Sequence, residues 1–256
     1  MKPPEIIYKY RDWACVNHKK ILTHNEIFLS SPANFNDPFD CKISTHYLSL
    51  DSPEKVSEFM SRKMEDPDNN FSREGIEVLE QRLNNIQEYW DMFEALEFTM
   101  IDKNFGVISL SARWNSVLMW SHYSNIHKGF CIGFNEAKMR ESGLFNWGGL
   151  VNYSNDFPIV NPLDDDKFML LQMLYKAKDW EYEQEYRLTK LFFPNNPTDN
   201  DRKIILEKDF IEEVILGMLI SENDKNEIIK ICREKSIRVF QAHRIPYKFE
   251  IKRFEI

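Results

Sequence analysis

Near the start of the chain the apolar positions change period. Residues 5–10, EIIYKY, alternate and predict a short strand. After Asp12 the spacing of Trp13, Val16, Ile21 and Leu22 is helical, and EIFLS at 26–30 returns to a strand. SSPANFNDPFD follows, dense in Pro, Asn, Ser and Asp, which predicts an irregular loop. Ser52 before Pro53 predicts a helix N-cap with Pro at the first helical position, and Val56, Phe59, Met60 and Lys63 continue at helical spacing. After the polar break DPDNN, Ser72 predicts the cap of a second helix. Its apolar positions are Ile76, Leu79, Leu83, Ile86, Trp90, Phe93 and Leu96, three and four residues apart in turn. Residues 52–104 therefore read as a helical insertion outside the sheet, packed on a β-rich body, with their aromatic side chains in a core.

From Phe105 strand patterns resume. GVISLS (106–111), GFCIGF (129–134) and GGLVNYS (148–154) predict strands, and NSVLMW (115–120) predicts a short helix opened by Asn or Ser. A helix begins in the acidic turn Asp164, Asp165 and Asp166, which complements the helix dipole, and runs to about Lys178. EYEQEYRLTK, KIILE, EEVILG, IRVFQA and YKFEIKRF are further strand candidates. The helix ENDKNEIIKICREK sits among them, with Ser221 as cap and Asp224 in the place of a capping-box acid. Strands predominate and helices gather in blocks, so the expected class is α+β: a mixed or split β-sheet body with surrounding helices, one domain over 1–256.

Composition narrows the function classes. With 43% hydrophobic residues and 19 Phe the chain has material for a core, which argues against disorder. A net charge of -8 argues against a non-specific nucleic-acid binder, while leaving room for a local basic patch. Cys15, Cys41, Cys131 and Cys232 are far apart and form no CxxC, so free thiols are expected rather than a zinc cluster of Cys alone. MKPPEIIYKYRDW has no apolar core of signal-peptide length, and no apolar run approaches the roughly 20 residues needed to cross a bilayer. The expectation is a cytoplasmic protein without membrane contact.

Three stretches carry candidate chemistry. LMWSHYSNIHKGFCIGF (118–134) places Trp120, His122, Tyr123, His127 and Lys128 where a short helix meets a strand. Turns are usually built from Gly, Pro, Asn, Asp and Ser, so this joint reads as a site. Aromatics flanking polar donors suit a planar ligand. His122 and His127, with Asp37 or Asp40 from the NDPFD loop, match no zinc signature, and no metal is expected. In WEYEQEYRL (180–188), strand alternation puts Glu181, Glu183, Glu185 and Arg187 on one face and Trp180, Tyr182, Gln184, Tyr186 and Leu188 on the other. One reading is a solvated strand face. The other is a site in which one Glu acts on a ligand, Glu185 before Glu183. In IIYKYR, Lys9 and Arg11 point opposite to Tyr8 and Tyr10; they suit a phosphate or carboxylate, or protect an edge strand.

The motifs YKYR, EIFLSSPANFNDPFD, GVISLS, LMWSHYSNIHKGFCIGF, KDWEYEQEYRL and EVILG, in this order from about Ile6 to at least Ile245, resemble a bacterial family known as domain of unknown function 2971. The segment 52–104 is where the chain departs from that pattern. More distantly, the opening strand, helix, EIFLS and NDP loop look like ADP-ribosyltransferase-like proteins. That resemblance implies Lys9 or Arg11 on the first strand, Ser109 with Trp120 or Tyr123 in a middle block, and Glu183 or Glu185 on a later strand. Lys9 stands where others carry His. It also implies NAD as substrate, a cation on its pyrophosphate, an aromatic wall that includes Trp120 and His122 near the nicotinamide, and a macromolecular acceptor. The alternatives are a non-catalytic ligand-binding or protein-interaction domain, and a metal-dependent hydrolase built on His122, His127 and the NDPFD acids.

Overall fold

A computed structural model describes residues 2–65 and 86–256 of the chain. Alternation in the first segment produces β1 (Ile6–Arg11), and α1 (Val16–Thr23) buries Ile21 and Leu22. Strand β2 (Glu26–Phe28) is shorter than the pattern predicts; beyond it only Ser30 bridges to Val107. Helices α2 (Pro53–Glu65) and α3 (Ile86–Asn104) are helical as expected and lie outside the sheet. Tyr47, Phe59, Trp90 and Phe93 form a separate aromatic core between them, with Tyr47 and Trp90 stacked at 4.8 Å. Leu96, assigned to the same stripe, is exposed. The capping position Ser72 and the positions Ile76, Leu79 and Leu83 lie outside the described residues.

Next come β3 (Phe105–Ser111), α4 (Val117–Tyr123), β4 (Phe130–Asn135), α5 (Glu136–Glu141) and β5 (Trp147–Leu150). They are followed by β6 (Asn152–Ser154), α6 (Asp165–Leu174), β7 (Tyr175–Ala177), β8 (Glu185–Leu191) and β9 (Lys203–Ile205). The chain closes with β10 (Ile211–Leu216), α7 (Glu222–Lys235), β11 (Arg238–Arg244) and β12 (Ile251–Glu255). Ser116 caps α4 through Met119 N, and Ser221 caps α7 by accepting from Asp224 N at 3.1 Å. Among the described residues, eight strands form a mixed sheet in the order β12-β11-β10-β4-β1-β3-β8-β5, with β2-β9 and β6-β7 as small pairs. The fold is α+β. No helix among the described residues is long and apolar enough to cross a membrane.

One face of the sheet packs Ile7, Ile132, Val214 and Leu216 against α1 and α7. The other packs Tyr8, Tyr10, Cys131 and Ile215 against Met119 and Trp120 of α4. Strand β1 is central, so the edge-protection reading of Lys9 and Arg11 does not hold. It pairs with β4 over six positions, yet meets β3 at the single position Tyr8↔Ser111. Beyond that point β1 and β3 diverge, and the space between them opens under Lys9 and Arg11.

Besides the short β2, and YKFEIKRF, which is a strand only from Ile251, three segments near the site differ from the sequence pattern. GGLVNYS divides: β5 forms a sheet edge on β8, while β6 turns away to pair in parallel with β7. The helix after Asp164 stops at Leu174, and Tyr175–Ala177 is extended. EYEQEYRLTK is a strand only from Glu185; Lys178–Glu183 form a 3-10 turn closed by Gln184 in the left-handed region at φ 42°. Glu181 is exposed while Glu183 and Glu185 are buried, so no row of three carboxylates exists. Alternation is a local signal and does not register a turn imposed by packing.

The joint after α4 is a tight backbone crossing. Asn125, Ile126 and His127 all have positive φ (50°, 53° and 62°), and the β-branched Ile126 is a costly residue there. The His127 carbonyl accepts from Leu219 N, and Gly217 N donates to the Gly129 carbonyl. A Cβ on Gly217 would meet the His127 oxygen at 2.2 Å, and one on Gly129 the Arg11 oxygen at 2.1 Å. These contacts are to backbone, which cannot swing aside. Gly217→Ala is therefore expected to destabilise the protein by about 2 kcal/mol or more. An unchanged urea midpoint in that variant would contradict this crossing.

Candidate functional site

Arg187 leaves the middle of β8 and is fully buried. Its Nε and one terminal nitrogen donate to the two Glu185 oxygens at 2.7 and 2.9 Å, and that terminal nitrogen also reaches Asp40 Oδ2 at 2.7 Å. The other terminal nitrogen donates to the Met173 carbonyl at 3.0 Å. Lys176, on β7, lies 2.7 Å from Glu183, 3.2 Å from Glu185 and 3.5 Å from Asp40. The Tyr123 hydroxyl donates to Glu183 Oε1 at 2.6 Å. Three carboxylates and two cations thus share one buried cluster. The left-handed residue Gln184 lets the turn deliver Glu183 and the strand deliver Glu185 to the same ammonium.

The two glutamates are held differently. Glu185 accepts from Arg187 twice, from Lys176 and from the Ser109 hydroxyl, and Tyr153 accepts from its backbone N–H. Burial opposes its charge, but Arg187 and Lys176 outweigh burial and hold its carboxyl at about 2. Glu183 carries one donor on each oxygen, Tyr123 and Lys176, which leaves lone pairs free to meet a ligand. Burial against Glu183 raises the Tyr123 hydroxyl well above the usual phenol range, so it stays protonated as a donor. Burial acts against the Lys176 charge, yet Glu185, Asp40 and Glu183 raise its pKa.

A cavity of about 110 Å3 opens on this cluster, with Glu183, Glu185, Tyr123 and Ser109 on one side and Lys9 and Arg11 on the other. Lys9 Nζ bonds to the Ser109 carbonyl across the gap between β1 and β3. Burial, then the neighbouring Arg11, lowers the Lys9 pKa; burial lowers Arg11 to about 10. Neither makes an ion pair among the described residues, and Arg11 has only a 3.5 Å contact to the Tyr10 carbonyl. Both also line a cleft of about 500 Å3 on the α1 side, together with His18, Lys20 and Lys203 and the acids Glu26 and Asp199, of which Glu26 lies 3.6 Å from Lys20.

Trp120 and His122 do not line this cavity. Trp120 is buried, donates to the Trp114 carbonyl at 2.7 Å and meets Tyr10 edge-on and His127 face-on, so it supports the α4 face from within. His122 is exposed beside Tyr123 and Tyr182. His127 Nε2 lies 3.2 Å from the Ser121 hydroxyl, and its Nδ1 is buried without a partner. Among the described residues no three His, Cys, Asp or Glu side chains form a group able to hold a metal ion. In the NDPFD loop, Asp37 caps Phe39 N at 2.9 Å, while Asp40 enters the ion cluster. The pattern does not identify Lys176 as a site residue and offers Asp40 to a site only as a metal ligand; Arg187, two residues on from Glu185 and on the same side, suits an ion pair with it, which the structure shows.

Glu185→Gln leaves Arg187 buried with half of its counter-charge. That substitution is expected to cost about 3 kcal/mol of stability near neutral pH. The depressed carboxyl gives the sign with pH. Its stabilisation is complete above the unfolded carboxyl value of about 4.3 and disappears as pH falls toward 2, about 3 kcal/mol in all. Denaturant midpoints of wild type should fall across that window, and those of Glu185→Gln should fall less. Parallel curves for the two proteins would show that the pair is not coupled.

A family model described as "Protein of unknown function (DUF2971)" matches residues 119–188, a little over a quarter of the chain and a narrower stretch than the motif order implies. No curated protein and no solved structure matches the chain. The matched stretch runs from α4 to Leu188 and contains Tyr123, Lys176, Glu183, Glu185 and Arg187, so over the carboxylate side of the site this chain is similar to that family of unknown function.

Proposed function

We propose that the protein cleaves the bond between nicotinamide and ribose in NAD and transfers ADP-ribose to an acceptor. The observation that carries this reading is that Lys9 and Arg11 line both the large cleft and the carboxylate cavity. A ligand spanning the divergence of β1 from β3 would meet cations in one part and Glu183 in the other. A cleft of about 500 Å3 is in the range for a ligand of dinucleotide size. Two unpaired, partly desolvated cations suit a diphosphate.

In this reading the C1′–N bond breaks and its electron pair passes to the nicotinamide nitrogen, which becomes neutral. Positive charge develops at the ribose, as in glycoside cleavage. Glu183 stabilises that charge and accepts from a ribose hydroxyl. Tyr123 and Lys176 hold its carboxylate in place, and Glu185 with Arg187 forms the rigid wall behind it. The acceptor's nucleophile then bonds to C1′ and releases its proton to solvent or to a carboxylate. The resemblance to ADP-ribosyltransferase-like proteins agrees with this assignment, except that Glu183 takes the leading place over Glu185. Ser109 contributes its hydroxyl to Glu185, and Trp120 and His122 stand outside the ligand's reach.

Nicotinamide release by purified protein tests the proposal. Glu183→Gln should fold as wild type does and lose a factor of roughly 10² or more in kcat. Arg11→Gln should act mainly on KM. Wild-type protein that neither binds nor consumes NAD would end the transferase reading. Binding without turnover would favour a non-catalytic ligand-binding domain.

A further inference from the structure

The hairpin of β11 and β12 presents aromatic side chains that the core does not use. Tyr247 and Phe249, at its turn, are 107% and 103% exposed. The turn is fixed rather than frayed: Ile245 N donates to the Glu250 carbonyl at 3.0 Å, and Lys248 N to the Ile245 carbonyl at 3.3 Å. Tyr247 has φ 63°, a left-handed conformation that a bulky residue adopts only when the surrounding backbone imposes it. The pattern continues along the strands. Phe254 is half exposed, meets the His243 ring at 5.4 Å and lies under the Lys252 ammonium at 4.9 Å. Strand β12 is also an outer strand of the sheet, so this stripe lies at an open edge.

The charge here runs against that of the molecule. Residues 243–252 hold three cations against one carboxylate in a chain of net charge -8; Lys248 lies 3.9 Å from that carboxylate, Glu250, Lys252 shares a face with Phe254, and Arg244 is on the opposite face. Exposed rings alternating with cations along an extended backbone are the chemistry that stacks unpaired bases and tracks the phosphates between them. A membrane anchor would instead gather its apolar residues at the tip, and this tip puts Lys248 between its two rings.

We propose that the β11–β12 hairpin binds single-stranded nucleic acid, with bases on Tyr247, Phe249 and Phe254 and phosphates on Lys248 and Lys252. This surface is separate from the Glu183 cavity, and the inference stands independently of the reaction there. The net charge excludes a protein that is basic throughout; it does not reach this local patch.

Fluorescence anisotropy of a labelled oligothymidylate of about fifteen nucleotides, at low salt, tests it. Wild type should bind, and the double variant Tyr247→Ala/Phe249→Ala should bind roughly tenfold more weakly or worse. Lys248→Gln and Lys252→Gln should each lower the slope of log K against log salt by about 0.7. The substituted side chains are exposed, so the thermal midpoint should not move. No binding by wild type, equal binding by the double variant, or adsorption to phosphatidylserine vesicles in place of the oligonucleotide would each overturn the proposal.

Discussion

The Arg187 guanidinium is the constraint on which the site depends. A fully buried guanidinium is tolerated only when its donors are satisfied and its charge is balanced. Glu185, Asp40 and the Met173 carbonyl do this, and each comes from a different part of the chain. The NDPFD loop is drawn onto β8 by Asp40, and the end of α6 by Met173. Lys176 then follows, because three carboxylates beside one guanidinium would leave negative charge uncompensated. Even so, three carboxylates against two cations leave the cluster one negative charge in excess. That excess faces Lys9 and Arg11 across the small cavity.

The second constraint is the parting of β1 from β3. Six paired positions tie β1 to β4, and seven tie β3 to β8, but one joins the two halves. A continuous ladder would have buried the site between strands. The opening instead brings a basic cleft and an acidic cavity to a common pair of side chains. The tight crossing at Gly129 and Gly217 holds the far end of β1, since Gly129 packs directly on the Arg11 carbonyl.

What could be read from the sequence follows the range of the forces involved. The caps at Ser52, Ser116 and Ser221, the strands GVISLS and GFCIGF, and the opposite facing of Lys9 and Tyr10 are local, and the sequence pattern revealed them. Glu181, Glu183 and Glu185 were placed on one face, with Glu185 ranked before Glu183, because alternation cannot see that Gln184 turns the backbone left-handed. Lys176 was hidden for another reason. It sat in what looked like the end of a helix, and only tertiary packing makes Tyr175–Ala177 a strand beside the glutamates. Trp120 and His122 drew attention as costly residues at a joint. One is core and the other is exposed, and Tyr123 is the member of that stretch whose side chain enters the cluster.

The central claim is that a single ligand spans the opening, with phosphates at Lys9 and Arg11 and its ribose at Glu183. A crystal structure of the Glu183→Gln variant with NAD tests it most directly, because that variant should bind without turning over. The account predicts diphosphate density within hydrogen-bonding distance of the Lys9 ammonium and the Arg11 guanidinium, and the nicotinamide ribose beside residue 183. An empty opening at saturating NAD, or a dinucleotide bound elsewhere on the molecule, would contradict it.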